Sequence, residues 1–470
     1  MKFLPTLICA LIAYSCVPRF TSKAPQNFAD RSTLQDTGDD NVTAMFHPVD
    51  PSLEMIASEI LKPHTNIDIA MYSLDTTAAN PVMAALGSDL VQSRIRDGSL
   101  KIRLIFEGYA TLADATARSQ ALENVHVDVR WFSSARKVHH KFATMDSSSD
   151  DATVITGSAN WSLSSMKNYD EAIVITHGKP GIATAFQKEF NLLWTMSTEF
   201  GEAINSDPFP AGEDSVEAGI SVAFNSANFT TETGRLAIIM PKAWTLTHAI
   251  VDEIDNAQTS LDIATTRIVL RPVYNAILRA AARGVKINIL VNQDEYELPN
   301  SRIGLELPAC PDEFEASCSV GTAFPWFLTS LAYPGKENVS VRVKFFSLNT
   351  HVTLAKQMHA KYLIADGLQV ANGSFNWSAS SEYEHMENVV KIDGAVFQSV
   401  VAKFLRNHAN IFAQGRDQYQ PYVSRIEAAI VSGVKTDCKF APMALTFQEI
   451  DYLLASGHRA GNKPFKDACL

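Results

Sequence analysis

The chain has 470 residues, 46% of them hydrophobic and 19% charged, with a formal net charge of -11. That length accommodates two ordinary domains and an appendage, and the composition excludes the fibrous and disordered classes. The acidic balance argues against a broad basic surface for tracking nucleic acid, though not against a locally positive cleft.

In chain order, Lys2 precedes an apolar run from Phe3 to Val17, too short and too early to span a bilayer as a stable helix. It reads as an export segment, which places the protein in the periplasm, at the outer membrane or outside the cell. Cys16 follows Ala13-Tyr14-Ser15 and resembles a bacterial lipoprotein processing site, although the usual leucine three residues earlier is missing. Lipidation of Cys16 is the favoured outcome, with simple cleavage or an uncleaved anchor as alternatives. Residues 1–16 form this leader and residues 17–42 a polar tether. A first domain is expected over 43–206. It opens with a helix from Leu53 to Leu61 and the strand Asn66 to Tyr72. A helix ending near Asp97-Gly98 and the strands Leu100 to Phe106 and Val125 to Trp131 follow.

The second half, expected over 216–414, repeats this order. Ala249 to Ala257 is helical, Ser260 to Ala264 matches the first strand, and a helix from Val273 to Arg283 ends at Gly284 before the strand Val285 to Val291. The segment Glu337 to Ser347 matches Glu123 to Ser133. Strands alternating with helices predict an α/β fold, and a period near 200 residues indicates domain duplication rather than a solenoid. The offset between copies grows from 194 residues at Ile67/Leu261 to 220 at His139/His359, so 26 residues are inserted, within 297–334. This loop either shapes the mouth of a site or caps an edge. Residues 415–470 read as a small docked appendage. Outside Cys9 and Cys16, four cysteines remain, with three possible pairings. Proximity favours Cys310 with Cys318 and Cys438 with Cys469, and four free buried thiols are the alternative.

Two copies of one pattern dominate the chain. His139 and Lys141 with Asp146, and His359 and Lys361 with Asp366, both spell His-x-Lys-x4-Asp, and each is trailed by Gly-Ser-x-Asn-Trp-Ser, Gly157–Ser162 and Gly373–Ser378. Both resemble the HKD motif of the phospholipase D superfamily, and the resemblance runs from Phe46 to Phe412. It implies two duplicated phospholipase D-like α/β domains packed together, one active site assembled from two halves, and catalysis through a phosphohistidine without a cofactor. The resemblance also implies that a glutamate downstream of the cluster orients an imidazole. Glu171 and Glu387 both lie fourteen residues beyond their glycine, and Glu387-Asn388 is the more family-like. By the same analogy His139 is the nucleophile and His359 the acid, with the reverse left open by the repeat symmetry.

The residue types suit this chemistry. Metal-free phosphodiester cleavage needs a nucleophile, an acid for the departing alkoxide and donors for the phosphoryl oxygens. Imidazoles serve the first two roles, and lysines two residues along the same strand share their face. Ser158, Asn160, Ser374 and Asn376 are expected to bind phosphate. Asp146 and Asp366 are counted with the catalytic set, organising hydrogen bonds around it. His140 is expected behind the sheet, Trp161 and Trp377 in the core, and His126, His351 and His385 in structural or exposed positions. No spacing suggests a metal site. The favoured substrate is a phospholipid, hydrolysed to phosphatidic acid by a monomer close to a membrane. The alternatives are a metal-independent exported endonuclease acting on DNA, and a spent site that only binds lipid or phosphate.

Overall fold

The computed structural model describes residues 41–107, 112–132, 136–201, 209–213, 215–232, 235–292, 310, 312–314, 324–344, 357–415, 459–460 and 463–464. Cys16, Cys318, Cys438, Cys469, His351, most of the 297–334 insertion and nearly all of the 415–470 tail lie outside these residues. Cys310 is disulfide-bonded.

The first half runs β1 (Val42–His47), α1 (Ser52–Ile60), β2 (Asn66–Met71), α2 (Pro81–Leu86), α3 (Asp89–Arg96), β3 (Lys101–Phe106), α4 (Leu112–Glu123) and β4 (Asp128–Phe132). It continues through β5 (Lys137–Val138), β6 (Lys141–Met145), β7 (Thr153–Gly157), α5 (Leu163–Asn168), β8 (Tyr169–His177), α6 (Pro180–Thr195) and β9 (Ser197–Glu199). The second half runs β10 (Ile220–Phe224), β11 (Phe229–Glu232), β12 (Arg235–Ile238), α7 (Thr245–Asn256), β13 (Ser260–Thr265), α8 (Arg271–Ala282), β14 (Lys286–Asn292), α9 (Phe324–Ser330) and β15 (Val339–Lys344). Then come β16 (Gln357–Met358), β17 (Lys361–Ala365), β18 (Gln369–Gly373), α10 (Ala379–Tyr383), β19 (His385–Met386), β20 (Asn388–Asp393) and α11 (Gln398–Gln414). The strand expected from Val125 starts three residues later. His126 takes a left-handed φ of 58° and turns the chain out of α4, and its Nδ1 lies 2.9 Å from Gln92 Oε1.

Each half builds the same mixed sheet. The order β1-β8-β7-β6-β2-β3-β4 in the first corresponds strand for strand to β10-β20-β18-β17-β13-β14-β15 in the second. Three adjacent strands of each sheet are parallel and the motif-bearing strands are antiparallel. Every residue of β2 is buried, because both faces of its sheet are covered. Alternate residues divide between the faces. Ile67, Ile69, Ile102, Leu104, Ile173 and Ile175 pack under α1 and α2, whereas Ala70, Ile105, Phe142, Val154 and Val174 join the core shared with the second half. Edge-to-face ring contacts cross that shared core, with Phe186 to Phe224 at 5.0 Å and Phe46 to Phe404 at 4.9 Å. Within the insertion, α9 buries Phe324, Phe327 and Leu328, and Phe324 stacks on Tyr274 at 4.7 Å. This part of the insertion packs into the second half beside β15, its edge strand.

Two very short parallel pairings join the halves. β5 lies against β19, and β16 lies against β8. Each precedes a motif histidine on one side and a glutamate on the other.

Candidate active site

The site grows from those two pairings. With Lys137 opposite His385 and Val138 opposite Met386, the next step brings His139 to Glu387. The His139 amide donates to the Met386 carbonyl at 3.1 Å, and its Nδ1 lies 2.7 Å from Glu387 Oε1. In the other pairing Gln357 lies opposite Tyr169 and Met358 opposite Asp170, so His359 meets Glu171. The His359 amide donates to the Asp170 carbonyl at 3.1 Å, and Nδ1 lies 2.7 Å from Glu171 Oε1. Each repeat therefore supplies the carboxylate for the other repeat's imidazole. The two contacts differ in direction: His359–Glu171 is an in-line hydrogen bond, whereas His139–Glu387 is equally short but off the ring N–H axis.

Both motif lysines are buried in the same place. Lys141 Nζ donates to the His139 carbonyl at 2.6 Å and stands 4.9 Å from the centre of the Tyr72 ring. Lys361 Nζ donates to the His359 carbonyl. Burial pushes Lys141 down to about 7, with its neighbour Lys361 adding to the shift and Glu387 and Glu171 opposing it. Burial likewise lowers Lys361 to about 8. Burial holds His139 neutral down to about 3, against the pull of Glu387, and lowers His359 as well. Although burial pushes Glu171 and Glu387 up, the facing histidines and the lysines outweigh it and keep both carboxyls below their ordinary range.

The glycines of the trailing clusters permit this arrangement. A Cβ on Gly157 would stand 2.2 Å from the Ala172 carbonyl oxygen, and one on Gly373 would stand 2.1 Å from that of Asn388. A side chain at either position would push the glutamate-bearing strand away.

The expected phosphate donors divide. Ser158 and Ser374 are fully buried beneath the site, a correction to the role read from sequence. Ser158 Oγ donates to Glu171 Oε2 at 2.6 Å and accepts the Ala172 amide at 3.0 Å, and Ser374 Oγ accepts the Asn388 amide at 3.1 Å. They brace the glutamate-bearing strands, which follows from the close approach the glycines allow. Asn160 and Asn376 lie on the turns after β7 and β18, at the lysine end of each sheet. Both have a buried Oδ1 that meets no hydrogen-bond partner among the described residues. Only the Nδ2 group of each amide can donate to an anion, since Oδ1 accepts.

Asp146 and Asp366 also require correction. Each follows its strand at the end away from the lysine, roughly 16 Å along five residues of β-strand. Asp146 accepts the amides of His64, Thr65 and Asn66 and the Thr65 hydroxyl, and Asp366 accepts those of Gln258, Thr259 and Ser260 and the Thr259 hydroxyl. Both adopt left-handed φ, 46° and 54°, which turns each carboxylate back onto the start of β2 or β13. They organise the fold at the opposite end of the sheet from the chemistry. Asp366→Asn replaces an acceptor by an amide that must face other donors. It should cost about 1–3 kcal/mol of stability while leaving kcat of the folded protein within about twofold, which denaturant titration alongside turnover will read.

His140 lies behind the sheet, fully buried, with Nε2 3.1 Å from Glu189 Oε1 and Nδ1 3.0 Å from Asn388 Nδ2. Trp161 and Trp377 are core residues. His385, read from sequence as structural or exposed, belongs to the site. Its ring is 5.4 Å from that of His139, and its Nδ1 is 3.7 Å from Glu387 Oε1. Tyr169 holds the corresponding place in the other half, its ring also 5.4 Å from His359. The available sequence signal was position: Tyr169 and His385 both stand two residues before a glutamate.

The chain is similar to known proteins in sequence and in fold. A mitochondrial cardiolipin hydrolase of Danio rerio is 26% identical over 152 residues, which are 32% of this chain and 60% of that protein. One of Xenopus laevis is 40% identical over 73 residues, 16% of this chain and 32% of that protein. The chain thus spans at most about three-fifths of the length of these relatives. The crystal structure of phosphatidylserine synthase from Haemophilus influenzae Rd KW20 superimposes with a TM-score of 0.53 at 13% identity, covering 84% of this chain and 95% of that one, a likeness of fold. The family model described as "Cardiolipin synthase, PLD-like domain" matches twice, over residues 56–194 and 250–410. With two such domains and both HKD motifs in one chain, the protein belongs to the phospholipase D superfamily of hydrolases acting on phosphodiester bonds.

Proposed function

We propose that this chain is a phospholipase D-type phosphodiesterase that hydrolyses phospholipids to phosphatidic acid and a free head group. The observation that carries the reading is the crossed pairing of two imidazoles with two carboxylates at 2.7 Å, flanked by two buried lysines. A carboxylate beside Nδ1 favours the proton there, through an in-line bond at His359 and through its charge at His139, and leaves the Nε2 lone pair facing away from it. In this reading His139 Nε2 attacks phosphorus while the bond to the head-group oxygen breaks, and His359 delivers a proton to that oxygen. His359 then takes a proton from water, the resulting hydroxide attacks phosphorus, and the phosphorus–nitrogen bond breaks to restore His139. An anionic phosphate between Lys141 and Lys361 favours their charged forms and supplies the counter-charge that His359 needs to carry a proton. The family analogy assigns His139 as the nucleophile, and burial keeps its imidazole neutral down to about 3, as attack requires.

The names of the relatives support lipid as substrate, as does the acidic balance of the chain. The export segment and Cys16, as a candidate lipid anchor, would hold the enzyme beside its substrate. An endonuclease with the same chemistry is the competing outcome. Turnover of mixed phospholipid vesicles and of single- and double-stranded DNA, in EDTA and with His139→Asn as control, separates the two. Phosphatidic acid released by wild type alone is expected. Cleaved DNA with untouched lipid would overturn the lipid reading, and strict dependence on added metal would overturn the two-histidine mechanism.

A further inference from the structure

We propose that His139, His385 and Glu387 form a binding site for a transition-metal dication, with Zn2+ as the natural probe, and that occupancy switches the enzyme off. The three side chains each present a ligand atom, all within 4.8 Å of one another. His139 Nδ1 and His385 Nδ1 lie 2.7 and 3.7 Å from the same oxygen, Glu387 Oε1. Two imidazoles and one carboxylate are a donor set that zinc accepts, with a fourth position left for water or substrate.

A second observation points the same way. Both Glu387 oxygens, His139 Nδ1 and His385 Nδ1 are buried atoms that meet no in-line hydrogen bond among the described residues, and Glu387 is wholly inaccessible. In the other half the Glu171 oxygens accept bonds from His359, Ser158 and Ser165, the last two at 2.6 and 2.9 Å, and Tyr169 stands where His385 does. The asymmetry confines the cation site to the His139 side. Glu107 adds a carboxylate near His385, its Oε2 accepting the Val138 amide at 2.8 Å.

The consequence for catalysis rests on the phosphohistidine reading above. A neutral imidazole has one ring nitrogen with a lone pair and one with a proton. Metal on Nδ1 takes the lone pair there, so the proton resides on Nε2 and the nucleophile is lost. No bond to phosphorus can form until the metal leaves and the proton returns to Nδ1.

Zn2+ binding to the full chain, with free thiols alkylated, can be followed by competition with a chromogenic chelator. One equivalent should be held by wild type and by Asp366→Asn. His385→Tyr, which copies the residue of the other half, should bind more than about 100-fold more weakly, beyond the loss typical of an outer partner. Histidine NMR of wild type provides a readout independent of any variant: the His139 and His385 ring signals should move together on adding Zn2+. No bound zinc, equal binding by His385→Tyr, or unmoved ring signals would each overturn the site. In the phosphodiester assay Zn2+ should abolish wild-type turnover and EDTA restore it, while His385→Tyr keeps its own metal-free rate at the same Zn2+ concentration. Full turnover with zinc bound would overturn the inhibitory role. If no phosphodiester is turned over at all, the binding and NMR measurements still decide whether the site exists.

Discussion

His139→Asn and His359→Asn are each expected to reduce turnover by at least about 10^4-fold, the scale of losing a nucleophile or its essential proton donor from a unit that acts together. The two variants should fail differently. Without His359 the attack on phosphorus retains its nucleophile, so a substrate with a good leaving group should leave labelled phosphoryl enzyme trapped on His139. Without His139 no such adduct should form. Rapid quench with a labelled phosphodiester followed by peptide mapping distinguishes the two, and label on His359 would reverse the assignment. His140→Asn is the internal control. His140 faces Glu189 and Asn388 behind the sheet, so its loss should cost about 1–3 kcal/mol of stability while sparing chemistry in the folded fraction. Loss of activity equal to that of His139→Asn would make the motif register wrong.

Lys141→Met should yield an inactive enzyme that melts higher than wild type. The folded protein holds this ammonium at about 7 against an ordinary 10.5, chiefly through burial. The unfolded chain therefore binds more protons between those values, so the native state is penalised fully below about pH 7, and stability recovers as pH rises toward 10.5. At roughly 1.4 kcal/mol per pKa unit the penalty is several kcal/mol at neutral pH. Removing the ammonium also forfeits its hydrogen bond to the His139 carbonyl and its contact with Tyr72, which offsets part of the gain. A rise in Tm of about 3–6 °C at pH 7, shrinking by pH 10, is the expected result in scanning calorimetry. Turnover should fall by about 10^3-fold with the loss of a phosphoryl-oxygen donor. In wild type, kcat/KM should decline as pH rises past about 7 to 8, where the free enzyme loses the charge on Lys141 and then on Lys361. A lower melting temperature for Lys141→Met would mean that its contacts outweigh its desolvation.

Much of the fold could be read from local pattern. The apolar strands Asn66–Met71 and Ser260–Thr265, the helices ahead of them and the doubled motif are properties of short segments, and the duplicated α/β architecture followed. The histidines, lysines and glutamates were legible for the same reason. Which glutamate serves which histidine was not, because it depends on two-residue strands pairing across the halves, and two residues carry no periodicity. Ser158 and Ser374 looked like phosphate donors because a hydroxyl beside a motif suits either role. The Gly157–Ala172 and Gly373–Asn388 approaches, visible only in three dimensions, commit them to bracing. Asp146 and Asp366 share a motif with the histidines yet serve the opposite end of the strand, where left-handed backbone directs them to amides. The role of His385 is hidden in the sequence because its symmetry mate is Tyr169, so the repeat offers no matching pair there.

The exchange of carboxylates between halves also bears on how such a chain can diverge. Neither half holds an oriented imidazole by itself, so an ancestor with one half would have needed two identical copies to assemble the site. In such a pair every substitution appears on both sides at once, and a histidine beside one nucleophile is a histidine beside the other. Fusion removes that constraint. Tyr169 opposite His385, and Ala360 opposite His140, are differences that only a single chain can encode. One side can specialise in attacking phosphorus and the other in handling the proton, without either change being imposed on its twin.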